Sequence, residues 1–429
     1  MHNKLHPLLV RAVAQALYAV FRENRHADKV IEHALRQNPK AGSRDRAFIA
    51  ETTYDVVRHY RLYAELLGRT PQTEPDFWEL IGIHLLVPAA SAAESTGVVV
   101  PGAGRISGQP AAEAAGTLPD WKEFKQLNAK LLKEKFAKIT QTRAIRESIP
   151  DWLDELGSRE LGDRWDETLA WLNRPARVVL RANRLKTDRS GLQQALRDEG
   201  VDAGPAGTGD ALVLARRQNV FQTKAFKNGL LEVQDFSSQL VAPLLAPEPG
   251  MRVVDACAGG GGKTLHLAAL MQNRGSLIAL DTFAWKLDEL RRRARRAGAG
   301  NIETRAIDSR KVIKRLYGSA DRLLLDVPCS GLGILRRNPD AKWKLSPESI
   351  DNLRATQQDI LQSYSPILKP GGRMVYATCS ILPSENQEQV ARFLESEAGK
   401  NFRLMEEKRI LPQDEGFDGF YIALLERVV

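Results

Sequence analysis

The sequence predicts an α/β protein. A doubly wound, mostly parallel sheet fills its C-terminal half, preceded by a small α+β unit and an all-helical N-terminal domain. Three observations predict it. From Met251 onward the apolar runs MRVVDA, SLIALD, IETRAID, DRLLLDVP and RMVYATC alternate with helix-length segments, and regular β-α alternation closes as a parallel sheet with helices on its faces. Just upstream, strand-like and helix-like segments follow one another from Pro175 to about residue 235. Before that, apolar residues recur at three-to-four spacing, the period of amphipathic helices.

In chain order, Val10, Val13, Leu17 and Val20, then Phe48, Thr52, Val56 and Tyr60, mark the helical faces of a domain over residues 1–145. Its stretch at about 88–120 is rich in Ala, Gly, Pro and Ser and nearly uncharged, which reads as a loop or linker. WKEFKQLNAKLLKEKFAKITQTR follows as a lysine-studded helix whose charges are either a solvated face or a nucleic-acid contact. Residues 146–235 hold RVVLRANRL (strand), SGLQQALRDEG (helix), ALVLA (strand), NVFQTKAFKNG (helix or turn) and LLEVQDF (strand). Residues 236–429 carry the longer alternation. No internal repeat is present.

Composition narrows the classes. A chain of 429 residues can bury a full core, and its formal charge of +9 points to a polyanionic partner such as nucleic acid. Three cysteines without CxxC pairing and seven dispersed histidines give neither a disulfide framework nor a zinc site. The amphipathic start MHNKLHPLLVRAVAQALYAV lacks a signal-peptide core, and no apolar run reaches membrane-spanning length. A cytoplasmic monomer without metal is expected.

All three cysteines sit in glycine-punctuated motifs: Cys257 in DACAGGGGKT, Cys329 in DVPCSGLG and Cys379 in YATCS. Cys329 and Cys379 each follow an apolar strand, and strand ends are where open α/β sheets keep their chemistry. A buried cysteine is often only a small hydrophobe. Two at one sheet edge, downstream of a glycine-rich loop, suggest a thiol nucleophile and a helper.

The loop itself is a strand ending in Asp255, then Gly259, Gly260, Gly261 and Gly262, then a helix from Lys263. Glycines let backbone approach a ligand, and the helix start adds amide donors. A Walker A loop would need glycine where Cys257 stands, and a dinucleotide fingerprint would need a small residue where Thr264 stands. An acid followed by Gly-x-Gly four residues on (Asp255, Gly259, Gly261) resembles motif I of class I S-adenosylmethionine-dependent methyltransferases. Cys257, Ala258 and Lys263 belong to the same loop. Asp281, closing the next strand, is placed to accept from both ribose hydroxyls of such a cofactor, and Asp308, ending IETRAID, to receive the adenine amino group. Each of these aspartates alone could equally be a helix cap.

Together DVPCSGLG, ATCSILPSEN and the glycine loop resemble the Nol–Nop–Sun family of RNA (cytosine-5) methyltransferases, and most nearly its bacterial members acting on 16S (small-subunit) ribosomal RNA. The resemblance runs from about Ser148 (SIPDWLDELG, RANRLKT, LLEVQDFSSQL) to DGFYIALLER. Over the first 140 residues it is architectural, with a helical domain like that of the antitermination factor NusB. The family implies S-adenosyl-L-methionine as cofactor, Cys379 of Thr378-Cys379 as nucleophile and Cys329 of Pro328-Cys329 as second cysteine. Carbon 5 of cytosine is a poor nucleophile, so a thiolate must first add to carbon 6. Asp326 would bond the N3 and amino edge of the base, besides lying beside the cofactor. Cys329 would assist the elimination that frees the product.

Two departures stand out. The family's usual Ala-Pro-Gly-Gly-Lys is here Gly259-Gly260-Gly261-Gly262-Lys263, and Lys286 stands where arginine is typical. Both leave the Gly-x-Gly spacing and a cation near the ribose edge.

For the RNA itself, Arg336, Arg337, Lys342 and Lys344 with Trp343 are the expected contact, because they follow the Cys329 loop and join phosphate-binding charge to a stacking ring. The run Arg291 to Arg296 reads instead as a solvated helix face. The residue 146–235 unit is expected to bind RNA, and the base to be unstacked from a loop or opened helix. A transfer RNA substrate and an RNA-binding assembly factor that kept the fold are the alternatives. A DNA cytosine-5 enzyme would lack the Thr-Cys partner.

Overall fold

The computed structural model describes residues 5–87 and 118–428. Most of the low-complexity stretch expected at about 88–120 therefore lies outside the described residues. The chain divides into two compact units, residues 1–174 with 335–345, and residues 175–334 with 346–429.

The first unit is helical. Helices Pro7–Phe21, Ala27–Gln37, Ser43–Arg58, Tyr60–Leu67 and Glu74–Leu86 pack around one core. Val10, Val13, Leu17 and Val56 are fully buried in it, as their spacing required, while Phe48 and Tyr60 pack against its edge. The lysine-studded segment is not one helix. A single turn, Lys122–Phe124, is followed by a separate helix, Ala129–Ile139, because the Asn128 side chain accepts from the amides of Lys130 and Leu131 and starts the helix afresh.

Residues 335–345 complete this unit and overturn the expected RNA contact. Lys342 is 2% exposed. Its Nζ donates to the Arg58 carbonyl at 2.8 Å and to Asn173 Oδ1 at 3.4 Å. Trp343 Nε1 donates to the Val57 carbonyl at 2.7 Å, and its ring meets Tyr60 edge-on at 5.6 Å. Lys344 donates to the Arg25 carbonyl at 2.8 Å and pairs with Asp340 at 2.9 Å. Arg336 is buried, with its carbonyl accepting from Arg58 at 3.2 Å. The Arg58 and Val57 carbonyls at the C-terminal end of helix Ser43–Arg58 take the Lys342 ammonium and the Trp343 indole, and a cation is favoured at a helix C-terminus. The basic run is therefore a structural plug, and no stacking platform.

Burial among cations lowers the Lys342 pKa to about 7, with desolvation first and the Arg58 charge second. The folded state then binds fewer protons than the unfolded state between about 7 and the ordinary lysine value. This contribution to stability accordingly rises with pH across that window. Lys342→Met should remove that slope, and Trp343→Phe should cost about 1–3 kcal/mol for the orphaned Val57 carbonyl. Thermal melts from pH 7 to 10 check both, and neither variant should flatten the salt dependence of RNA binding.

In the second unit, β1 (Val179–Ala182), β2 (Ala203–Pro205), β3 (Ala211–Leu214) and β4 (Leu231–Val233) form an antiparallel sheet in the order β2-β3-β1-β4, with helix Arg189–Asp198 packed against it. The short β2 had no apolar run to announce it.

The main sheet has the order β10-β11-β9-β8-β5-β6-β7. Its strands are β5 (Arg252–Asp255), β6 (Ser276–Asp281), β7 (Ile302–Ala306), β8 (Ala320–Asp326), β9 (Leu368–Thr378), β10 (Phe402–Ile410) and β11 (Phe420–Arg427). β5 to β9 are parallel, and β10 and β11 add an antiparallel edge that the β-α alternation did not foretell. The order reverses at β5, which lies between β8 and β6, and such a switch point opens a crevice at the carboxyl ends of the strands.

Glu232 of β4 ties the two sheets. It is 3% exposed and takes Arg293 at 2.9 Å as well as Arg296. Two of the five arginines of the expected solvated face are thus spent inside the fold. Arg291, Arg292 and Arg295 do remain exposed, the first two paired to Asp288 and Glu289 one turn away.

Candidate active site

Asp255, Asp281, Asp326 and Cys379 stand at or just past the carboxyl ends of β5, β6, β8 and β9, so the parallel register delivers all four to one edge. The glycine loop follows β5 there. Gly261 has φ +87°, and a Cβ on it would meet the Leu290 side chain at 2.6 Å, so glycine is required for the helix Gly262–Leu270 to start where it does. Gly259, at φ +53°, has open space where a Cβ would go, so its left-handed backbone alone asks for glycine. Arg293 holds the Gly260 carbonyl at 2.7 Å and Arg181 the Gly262 carbonyl at 2.8 Å, so the four-glycine loop is braced from outside.

The carboxylates divide the work. Asp281 accepts the Gly259 amide at 2.9 Å and the Phe283 amide at 2.8 Å, one on each oxygen, which joins the loop to the end of β6. Asp255 is 1% exposed. Its Oδ2 accepts from Thr264 at 2.7 Å, while Oδ1 is buried with no partner among the described residues. Burial raises the Asp255 pKa to about 7, and the Asp326 charge adds to it. An orphaned acceptor beside an amide-lined loop fits a ligand that brings donors, as the amino-acid and ribose parts of S-adenosylmethionine do. Ala258 is buried against the following helix, and the Cys257 thiol is pushed up by burial and by the nearby Asp255, Asp326 and Asp281 charges, which leaves it unreactive. Asp308 lies past the end of β7, exposed, with one oxygen taken by Ser309 at 3.0 Å.

Lys263 reaches across from the loop helix to Asp326, Nζ to Oδ2 at 2.6 Å, with its ammonium 5.0 Å from the Phe420 ring centroid. Beyond Asp326 the two cysteines meet. Cys329 Sγ and Cys379 Sγ are 3.3 Å apart. The hydrogen bond to Cys379 and burial push the Cys329 pKa up, with the Cys379 and Glu385 charges adding to both. The Cys379 carbonyl is itself held by the Gly333 amide at 2.9 Å, so the loop after Cys329 leans on the loop that carries Cys379.

A family model described as 16S rRNA methyltransferase RsmB/F matches residues 242–426. A second, described as its ferredoxin-like domain, matches residues 149–221. A probable ribosomal RNA small subunit methyltransferase B of Synechocystis is 34% identical, the alignment covering 95% of this chain and 96% of that protein. The chain belongs to the RsmB/F methyltransferase family. The ribosomal RNA small subunit methyltransferase B of Vibrio cholerae is 32% identical over 97% of this chain and 96% of its own. Among solved structures, a methyltransferase homolog protein from Pyrococcus horikoshii is 26% identical with a TM-score of 0.60, covering 66% of this chain and 97% of that one. The second unit of this RsmB/F chain accordingly has the class I methyltransferase fold, and the similarity to the full-length relatives extends over the helical N-terminal region as well.

One side chain of the RsmB/F site was not singled out by sequence reasoning. Glu385, inside the quoted ATCSILPSEN motif, is fully buried directly behind both cysteines. A glutamate six residues past a strand-end cysteine, in a segment without helical period, was the available signal.

Proposed function

We propose that this protein transfers a methyl group from S-adenosylmethionine to carbon 5 of a cytosine in small-subunit ribosomal RNA, through a covalent bond between Cys379 and carbon 6. The observation that carries the reading is the pair of sulfurs 3.3 Å apart, with Asp326 at the neighbouring strand end and the glycine loop joined to it through Lys263. The names of the relatives support ribosomal RNA as substrate.

S-adenosylmethionine, when bound, supplies an electrophilic methyl. Asp281 and the loop amides would hold it, and Asp308 would face its adenine edge. Asp326, oriented by Lys263, accepts from the amino group of the base and from N3–H once N3 has taken a proton from solvent, and that proton neutralises the charge that appears when Cys379 sulfur adds to carbon 6. The electron pair released onto carbon 5 takes the methyl. The carbon 5 proton then leaves to a base, its electrons re-form the ring double bond, and sulfur departs from carbon 6 as thiolate. Cys329 is the base assigned here: bonding Cys379 sulfur to carbon 6 removes the Cys379 hydrogen bond and charge that raise the Cys329 pKa, so Cys329 can release its own proton to solvent and then accept the one on carbon 5.

Bisulfite sequencing of ribosomal and transfer RNA from a deletion strain tests the substrate. One cytosine of 16S RNA should lose its protection. Loss in a transfer RNA would redirect the reading to that substrate, and no loss anywhere would leave an assembly factor. With purified protein, methyl transfer to RNA should far exceed transfer to duplex DNA.

A further inference from the structure

The two cysteine loops share one buried carboxylate. Glu385 sits in the turn Pro383–Glu385 and has no exposed surface. Its Oε2 accepts from the hydroxyls of Ser330 and Ser380, each at 2.5 Å. Its Oε1 accepts from the Ser330 amide at 2.8 Å and from Gln357 Nε2 at 3.0 Å. Ser330 follows Cys329 and Ser380 follows Cys379, and the two hydroxyl oxygens are 3.2 Å apart. Gln357 also donates to the Pro328 carbonyl at 2.9 Å, so the carboxylate grips the first loop on both sides of its cysteine.

The turn that carries Glu385 is fastened to the second loop. Tyr376 of β9 donates to the Glu385 carbonyl at 2.7 Å. Asn386 accepts from Thr378 at 2.5 Å and donates to the Ser380 carbonyl at 3.1 Å. Every partner of the carboxylate is a donor, and an acceptor-only group satisfies all four. A glutamine would set an NH2 against donors in a site closed to water, which makes Glu385→Gln a disruption despite its shape.

We infer that Glu385 is a positioning residue that sets the spacing of the Cys329 and Cys379 sulfurs, and through that spacing couples attack on the base to its release. The second half rests on the roles given to the two cysteines under the proposed function. Neither serine nor Glu385 reaches a reacting atom. They act by fixing the backbone that carries each thiol, and a displacement of about 1 Å at such a site is enough to cost orders of magnitude in rate.

Phenylarsine oxide reads the spacing without any catalysis, because its arsenic closes a ring on two neighbouring thiols and releases water. Wild-type protein should bind one equivalent, and Cys329→Ala or Cys379→Ala should bind none at that concentration. Glu385→Gln should close the ring about tenfold more slowly or worse and lower kcat on RNA by a similar factor. It should also leave KM for S-adenosylmethionine unchanged and trap a fraction of protein as covalent RNA adduct. The double variant Ser330→Ala with Ser380→Ala removes two of the four donors at constant charge and should behave alike. A folded Glu385→Gln protein with wild-type ring closure and wild-type kcat would overturn the inference. Should Glu385→Gln fail to fold, the serine pair decides by the same two readings. Slowed ring closure in variants of a protein that methylates no cytosine even as wild type would leave the spacing role standing and sink the proposed function instead.

Discussion

Replacing Cys329 with alanine is expected to leave attack intact and stall release, so that protein and RNA accumulate as a covalent species surviving denaturing electrophoresis. Replacing Cys379 should abolish methylation and leave RNA bound only reversibly, because no bond to carbon 6 can form. The double variant should show no adduct. These are the largest effects expected, since loss of a nucleophile removes the covalent path entirely. The 3.3 Å separation makes the two thiols neighbours but does not make them equivalent. Adduct trapped by Cys379→Ala in place of Cys329→Ala would reverse the roles.

Asp281→Ala is expected to weaken S-adenosylmethionine binding by about a hundredfold, the cost of two amides left without acceptors plus the lost contact to the ribose, at about 1–3 kcal/mol each before compensation by water. Asp281 joins Gly259 and Phe283 within the protein itself, so the loop should loosen as well as lose a contact. Asp281→Asn keeps one acceptor and should lose less. Titration calorimetry separates the cases. Unchanged affinity in Asp281→Ala, or binding of ATP or NAD in place of S-adenosylmethionine, would remove the carboxylate from the role assigned to it.

Much of the site is legible because its parts are local. Strands β5, β6, β8 and β9 announce themselves as apolar runs, and the residues that follow them stand at one edge as soon as the strands are parallel. The glycine loop is legible because its backbone demands glycine. β10 and β11 are harder. Seven consecutive residues of β10, from Arg403 to Arg409, are exposed, so the strand carries no apolar signature and exists by pairing with β11. The braces of the loop, Arg181 and Arg293, read as ordinary surface charge until the small sheet folds against the large one.

Sequence by itself determined the α/β alternation, the order of the cofactor and cysteine motifs, and the carboxylates and thiols at the strand ends, because periodicity and short motifs are properties of neighbouring residues. Tertiary structure alone decided where the charges went. Lys342 looks like a phosphate ligand in a basic, tryptophan-bearing run, yet it closes a helix end 284 positions away at Arg58. Glu385 looks like a solvated turn residue, yet it gathers Ser330 from 55 positions upstream. A charged side chain is worth burying only where distant backbone and hydroxyl groups converge to satisfy it, and that convergence is a property of the folded chain.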